Sequence, residues 1–373
     1  MNYTYRQIED TYVVWLTPAN RFMQLQEPAF RILEDWTSQL PEIQIIRNCA
    51  DAFNLPMVEA RCFVTEVTNQ LQLLSSNFIH DKIVSLSDES NTGYIGKWFS
   101  TKYYRINGKN FCFNYGDPSL EDLIHPGFDY MESKSPVSEV HHSFDLFYKD
   151  DQSILQIDGQ NKWKFSNSKP EYFVGLVFMQ MLNCIHNTTD AHWMGVVHAS
   201  AVSAGNGAVL FTAPSGSGKS TFAAMLMNKG YQILSDDFSP VSLNNAKVYS
   251  FPKAISVKDR SLHLLKSYFP SLAETGNSIP ADVREVFLPL TTGELPEALP
   301  VKAIVFLQYD PTVEVEFKKI TNLDAMNRFL QQLWLPPTAE VSSHFMDWYF
   351  QIPCYTLHYS DNEKAINSLS GLL

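Results

Sequence analysis

The sequence predicts an α/β protein in two parts: a small winged-helix domain over residues 1–80, then a P-loop-containing α/β domain over 101–373, joined by a linker at 81–100. Three observations carry this. A strand, a glycine-rich turn and a helix follow one another at 208–230. The first 80 residues read as a two-strand hairpin and three helical stretches. Between the two parts lies a Ser/Asn/Gly-rich run at 85–93.

At 373 residues the chain has room for two or three domains, and 45% apolar with 18% charged residues fits a globular protein. A net charge of −12 disfavours nucleic acid and anionic membrane as general partners. Cys49, Cys62, Cys112, Cys184 and Cys354 have neither metal-ligand nor redox spacing, and read as reduced thiols in a cytoplasmic protein. The first ten residues carry no basic-then-apolar signal pattern. The most apolar stretch, 172–185, is short of the ~20 residues that span a bilayer and reads as a buried helix.

In chain order, Tyr12–Leu16 and Phe22–Gln26 form the hairpin around Pro18-Ala19-Asn20. Pro28 suits a first helical turn, with Phe30, Ile32, Leu33 and Trp36 on one face. Helices follow at 42–53 and 58–74, separated by Asn54-Leu55-Pro56. Strands are expected at 103–107 and 110–115 around Gly108, then at 140–148, 154–157 and 162–165, forming a β-rich front part over 101–168. His141-His142 has no third ligand at useful spacing and reads as strand. The core, 169–373, opens on the helix near 170–187. Two strands around Gly205-Asn206-Gly207 come next, with His198 paired opposite Ala213 at the mouth of the turn. A strand at 231–234 ends in Asp236-Asp237. Residues 266–300, Arg284 among them, read as a lid or acceptor-binding loop. Strands at 303–308 and 313–317, a helix at 323–335, a strand at 355–358 and a closing helix at 362–372 complete the chain.

The chemistry centres on Ala213-Pro214-Ser215-Gly216-Ser217-Gly218-Lys219-Ser220-Thr221. This is G-x-x-x-x-G-K-[ST] with alanine for the first glycine. Gly216 and Gly218 let successive N–H groups point at phosphate oxygens, and the helix N-terminus adds partial positive charge. Ser215 to Thr221 are therefore the candidate nucleotide-binding residues, with Lys219 reaching the outer phosphates and the Ser220 hydroxyl placed for Mg²⁺. A carboxylate of Asp236 or Asp237 can hold Mg²⁺ or take a proton from an attacking hydroxyl. Lys258 and Arg260, with Lys253 behind them, are cations able to stabilise charge spread in phosphoryl transfer.

Taken together, His198-Ala199-Ser200-Ala201, Ser215–Thr221 and Leu234-Ser235-Asp236-Asp237 resemble HPr kinase/phosphorylase and its wider relatives, which share a fold with phosphoenolpyruvate carboxykinase. The resemblance covers about residues 100–373. It implies transfer from ATP to a serine hydroxyl, with Asp236 as base, His198 and Asp237 in support, and Mg²⁺ on Ser220 and Asp237. Residues 1–80 resemble PqqD and related peptide-recognition domains through their hydrophobic pattern. That resemblance implies a leader peptide added as a strand beside Phe22, Gln24 and Gln26 and the third helix. Together they imply a kinase acting on a ribosomally synthesised precursor peptide, with oligomerisation a further expectation. A kinase for free serine or another small hydroxyl compound, and a non-catalytic nucleotide-sensing scaffold that binds peptide, fit the same residues.

Overall fold

The computed structural model describes residues 2–17, 19–76, 84–86, 96–134, 137–166, 170–273, 285–290 and 294–373. The chain divides into two compact units, residues 1–81 with 335–351, and residues 82–334 with 352–373.

In the first unit, strands Tyr3–Ile8, Thr11–Leu16 and Arg21–Gln26 form an antiparallel sheet in sequence order, followed by helices Glu27–Thr37, Glu42–Phe53 and Met57–Ser76. The sequence reading anticipated the second and third strands but not Tyr3–Ile8. Its signal is alternation: the Tyr5 ring lies 4.7 Å from Phe30 on the helical side. Arg6, on the other face, bonds Asp347. Val14, Leu16, Phe30, Leu33 and Leu71 form the core on the helical side.

The second face of this sheet is covered by helix Ala339–Tyr349, capped by Thr338, whose side chain accepts from the Val341 N–H. Phe345 packs on Phe22, ring centroids 5.2 Å apart, and the Thr4 and Ser342 hydroxyls are 2.9 Å apart. Residues 335–351 therefore leave the 101–373 block in which the sequence reading placed them. The physical reason lies in Val13-Val14-Trp15-Leu16, all fully buried. A strand apolar at every position has two faces to cover, and the three following helices cover only one.

The second unit holds two large sheets. In the ten-stranded one, Gly207–Thr212 runs parallel to Ala298–Tyr309, which runs parallel to Cys354–Tyr359. Helix Lys219–Asn228 packs on this sheet, Phe222 and Leu226 sharing a core with Phe211, Val305 and Leu357. In the six-stranded sheet lie the front strands Ser100–Ile106, Lys109–Tyr115, His142–Lys149, Gln152–Ile157 and Asn161–Ser166. The first pair turns at Asn107-Gly108, both with left-handed φ, where glycine carries no steric cost. Val84–Leu86, inside the expected linker, pairs with Asn161–Ser166 as a strand. The rest of that linker between 87 and 95 lies outside the described residues, as does Arg284. Helix Pro170–His186 is buried between the sheets' apolar residues, with Phe173, Val177 and Leu182 in one core with Phe113 and Phe144.

The helix expected at 323–335 spans Asn322–Leu330, and Leu333–Trp334 is a strand paired with Trp193–Val197. Leu335 precedes Pro336, which disfavours the α conformation there. Among the described residues no helix is long and apolar enough to cross a membrane.

Candidate active site

Strand Trp193–Val197 belongs to one flank of the ten-stranded sheet and strand Ala199–Ala204 to the other. Only His198 separates them, so it occupies the corner where the chain changes partners. The register of the next hairpin runs from Ala204↔Gly207 to Ala199↔Thr212, and continued by one residue it sets His198 opposite Ala213. That puts the imidazole at the start of the glycine-rich turn, where the strand Gly207–Thr212 ends.

The turn itself is built by two left-handed glycines, Gly216 at φ 84° and Gly218 at φ 93°. The Ser217 N–H donates to the Pro214 carbonyl, closing the bend. Gly218 is the N-cap of helix Lys219–Asn228, so the helix begins on the residue that carries the ammonium. Ala213 stands outside the left-handed residues and is buried in the core beneath the helix. Its methyl needs no glycine backbone, which is why the departure from the motif is tolerated.

Lys219 is buried, 5% exposed, and its Nζ bonds Asp237 Oδ1 and lies 3.6 Å from Asp236 Oδ1. Burial works against its charge, but Asp236 and then Asp237 outweigh that and raise its pKa. Asp237 sits at φ 65°, left-handed backbone that Asp tolerates better than most residues. Burial would raise its carboxyl, yet Lys219, Lys253 and His198 together hold it below the ordinary carboxylate value. His198 Nε2 is 3.7 Å from Asp237 Oδ1, and its Nδ1 is 3.3 Å from the Asp237 carbonyl oxygen.

Asp236 is fully buried behind this pair. The Ser200 hydroxyl donates to its Oδ1 at 2.5 Å, while its Oδ2 has no hydrogen-bond partner among the described residues. Buried carboxylate oxygens are normally satisfied, because leaving one bare costs about 1–3 kcal/mol or more. A bare oxygen within a cluster of an ammonium, an imidazole and a second carboxylate is a place for a proton or a donor to arrive.

A pocket of about 80 Å³ opens over the turn, lined by Ser215, Gly216, Gly218, Lys219, Ser220 and Thr221 together with His198, Asp237 and Lys258. Of the nucleotide-binding candidates, Ser217 alone is not part of this lining. Lys258 ends strand Ile255–Lys258 with its side chain exposed. Arg260 is the second residue of the next helix, Asp259–Leu265, and its side chain lies outside the described residues. Lys253 is buried, with Nζ 5.9 Å from the Phe287 ring centre. Its charge reaches Asp237, a closer involvement than its place in the sequence conveys.

Ser200 and Glu285 were not read as site residues. Ser200 was legible only as a hydroxyl within a buried Ala/Val strand. Glu285 lines the pocket from strand Glu285–Leu288 and accepts from Ser256. The donor set suits a phosphate chain and a hard divalent cation: backbone N–H groups and Lys219 for the former, the Ser220 hydroxyl and the low-pKa Asp237 carboxylate for the latter. Another cluster, His125, Asp129 and Glu132, brings its ligand atoms within 4.8 Å of one another. His125 Nδ1 lies 2.8 Å from the Tyr104 hydroxyl, and its Nε2 faces Asp129 and Glu132 at 3.5 and 4.0 Å.

The peptide candidates Phe22, Gln24 and Gln26 lie on strand Arg21–Gln26, at one edge of the first unit's described sheet, where the strand pairs with Thr11–Leu16. Phe22 is half-buried against Phe345, and Gln24 and Gln26 are exposed, Gln26 donating to Thr11.

No family model matches the chain, and no curated protein matches it. Among solved structures it is similar to the Hpr(Ser) kinase/phosphatase from Coxiella burnetii, with 13% identity and a TM-score of 0.23, over 46% of this chain and 90% of that one. At that score the two chains share too little for the activity of one to inform the other.

Proposed function

We propose that the chain is an ATP-dependent kinase that phosphorylates a serine hydroxyl of a ribosomally made precursor peptide. The observation that carries this is the bare Oδ2 of fully buried Asp236, set behind Lys219 at the N-terminus of a glycine-capped helix. In this reading the N–H groups of 215–221 and the Lys219 ammonium hold the nucleotide's outer phosphates. Lys219 then turns from the aspartates toward phosphate, which uncovers Asp236. Asp236 Oδ2 takes the proton of the serine hydroxyl as its oxygen bonds the terminal phosphorus and the bond to the ADP oxygen breaks.

Asp237 is a weak base, because Lys219, Lys253 and His198 depress its pKa. Its lasting negative charge suits Mg²⁺, shared with Ser220. Mg²⁺, when bound, neutralises charge on the phosphate oxygens. His198 and Lys258, at the pocket wall, face the charge that spreads in the transition state. The leader is assigned to the outer strand Arg21–Gln26, beside Phe22, Gln24 and Gln26, as an added strand. Holding it there raises the acceptor's local concentration.

The test combines purified protein, ATP, Mg²⁺ and the short peptide encoded beside the gene. A mass gain of one phosphate, abolished by Lys219→Ala and by Asp236→Asn, is expected. No gain, or a gain that Lys219→Ala leaves intact, overturns the reading. A gain whose rate is undiminished by removal of the leader overturns only the peptide-guided part.

A further inference from the structure

Next to the nucleotide pocket lies a second cavity of about 480 Å³, and His198 and Asp237 belong to the walls of both. Its lining is mainly apolar: Tyr172, Leu176, Met179, Val196, Phe238 and Trp334. A cavity of this size and character matches the dimensions of ligand sites. Its floor is helix Pro170–His186, which carries Gly175 in its second turn.

That glycine is costly where it stands, since Gly in a helix interior is destabilising by about 0.5–1 kcal/mol relative to Ala. No turn or positive φ requires it, and a Cβ built on it meets nothing within 4 Å. The missing side chain is therefore not making way for a neighbouring part of the fold; it leaves the cavity open.

The charges of the cavity narrow its occupant. Glu171 and Asp190 lie in its wall, Asp190 fixed by hydrogen bonds from Gln180 and Asn183 at 3.1 and 2.6 Å. Among the described lining residues there is no Lys or Arg. An amino acid with a free carboxylate would find acidic groups where it needs a cation. An uncharged backbone carrying a large apolar side chain would find apolar walls.

We infer that this cavity is the acceptor subsite and that it seats a bulky apolar side chain next to the serine that is phosphorylated. The inference rests on the kinase reading, because it is the shared wall of His198 and Asp237 that places the acceptor hydroxyl beside the phosphates. The occupant is a peptide segment of the form apolar–Ser.

The test uses four capped tetrapeptides, acetyl-Ala-X-Ser-Ala-amide with X = Trp, Leu, Ala or Asp, and free serine, each with ATP and Mg²⁺. Fluorescent mant-ATP titration is run in parallel. For the wild type, kcat/KM for X = Trp or Leu is expected to exceed that for X = Ala by about 10-fold or more, as burial of a large apolar side chain predicts. X = Asp and free serine are expected to be poorest. Gly175→Phe fills the cavity and should bring Trp and Leu down to the Ala level while mant-ATP still binds, which also reports that the variant is folded. Gly175→Ala, adding one methyl, should lower the preference far less.

If the wild type binds mant-ATP but shows no preference for X, phosphorylates none of the probes, or keeps its preference in Gly175→Phe, the subsite is refuted and the nucleotide site stands. If mant-ATP does not bind the wild type, the kinase reading itself falls and the subsite with it.

Discussion

The glycine-rich turn and the N-terminal sheet are built on opposite plans. Around the turn, the groups that touch one another come from a short stretch of chain: His198, Ser200, Lys219, Asp236 and Asp237 lie within about 40 residues. The N-terminal sheet is completed by a helix more than 300 residues away, through Arg6–Asp347 and Phe22–Phe345. Closing a long loop costs little more than closing a short one once the chain is folded, because the entropy grows only with the logarithm of length. The remote helix is therefore no weaker a partner for being remote. It is only harder to foresee, and its loss should be felt in the first unit alone.

The largest test of this contrast is Lys219→Ala. Removing the ammonium leaves Asp236 buried without its counter-charge, and breaking a buried pair in this way costs about 3–5 kcal/mol. Phosphoryl transfer should fall by at least about 10²–10³-fold, the usual loss of one electrostatic stabiliser. Adding Asp236→Asn should restore much of the stability and none of the activity. Hydrogen exchange should show the loss at Gly207–Thr212 and not at Thr11–Leu16. Equal loss at both strands would mean that the units are not separate in stability.

The mirror experiment is Phe345→Ala. Phe345 is fully buried, and Phe→Ala truncations in cores cost about 3–5 kcal/mol. Protection should fall in Thr11–Leu16 and Arg21–Gln26 and stay level at Gly207–Thr212. Nucleotide affinity should not move, so a change in mant-ATP binding would break the comparison.

The same contrast explains what could be read in advance. The turn was legible because glycine, lysine and hydroxyl residues at fixed spacing leave the backbone few other conformations. His198 was placed by counting a hairpin register from Gly205-Asn206, a purely local step. Helix Ala339–Tyr349 gave no such cue, although Val13-Val14-Trp15-Leu16 announced that a second cover was needed. Strand Tyr3–Ile8 was missed because its alternation is carried by tyrosines and polar residues rather than aliphatics. Helix Asn322–Leu330 was drawn too long because periodicity does not mark where a sheet partner takes over from a helix. The bond from Ser200 to Asp236 and the bare Asp236 oxygen are properties of packing, for which the sequence offers only a hydroxyl within an apolar strand.

A finer test reads the charge of Asp237 by pH. The folded-state pKa of Asp237 is depressed, so its charge contributes stability above the unfolded value, about 3.9, and that contribution is lost as pH falls through the folded value. Wild type should therefore exceed Asp237→Asn in stability at neutral pH, and the gap should close progressively below about pH 4. A gap that stays constant to pH 2 would show that Asp237 is not held charged by Lys219, Lys253 and His198. Thermal melts of both proteins across that range provide the measurement.

The smallest expected effect lies on the rim of the remote contact. Arg6 donates to Asp347 with two nitrogens, at 2.6 and 2.8 Å, and to Ser343 at 2.7 Å. Asp347 is held below its ordinary value, chiefly by that hydrogen bonding. The pair is nonetheless 35% and 53% exposed, and exposed ion pairs are worth about 0.2–1 kcal/mol. Arg6→Ala should therefore cost the first unit less than about 1 kcal/mol, and salt should erase part of the difference. Set beside Phe345→Ala, that ranking states what holds the remote helix in place: the apolar face around Phe345 and Phe22, with the ion pair fixing its register. A loss from Arg6→Ala as large as from Phe345→Ala, measured by urea unfolding at low and high salt, would reverse the ranking.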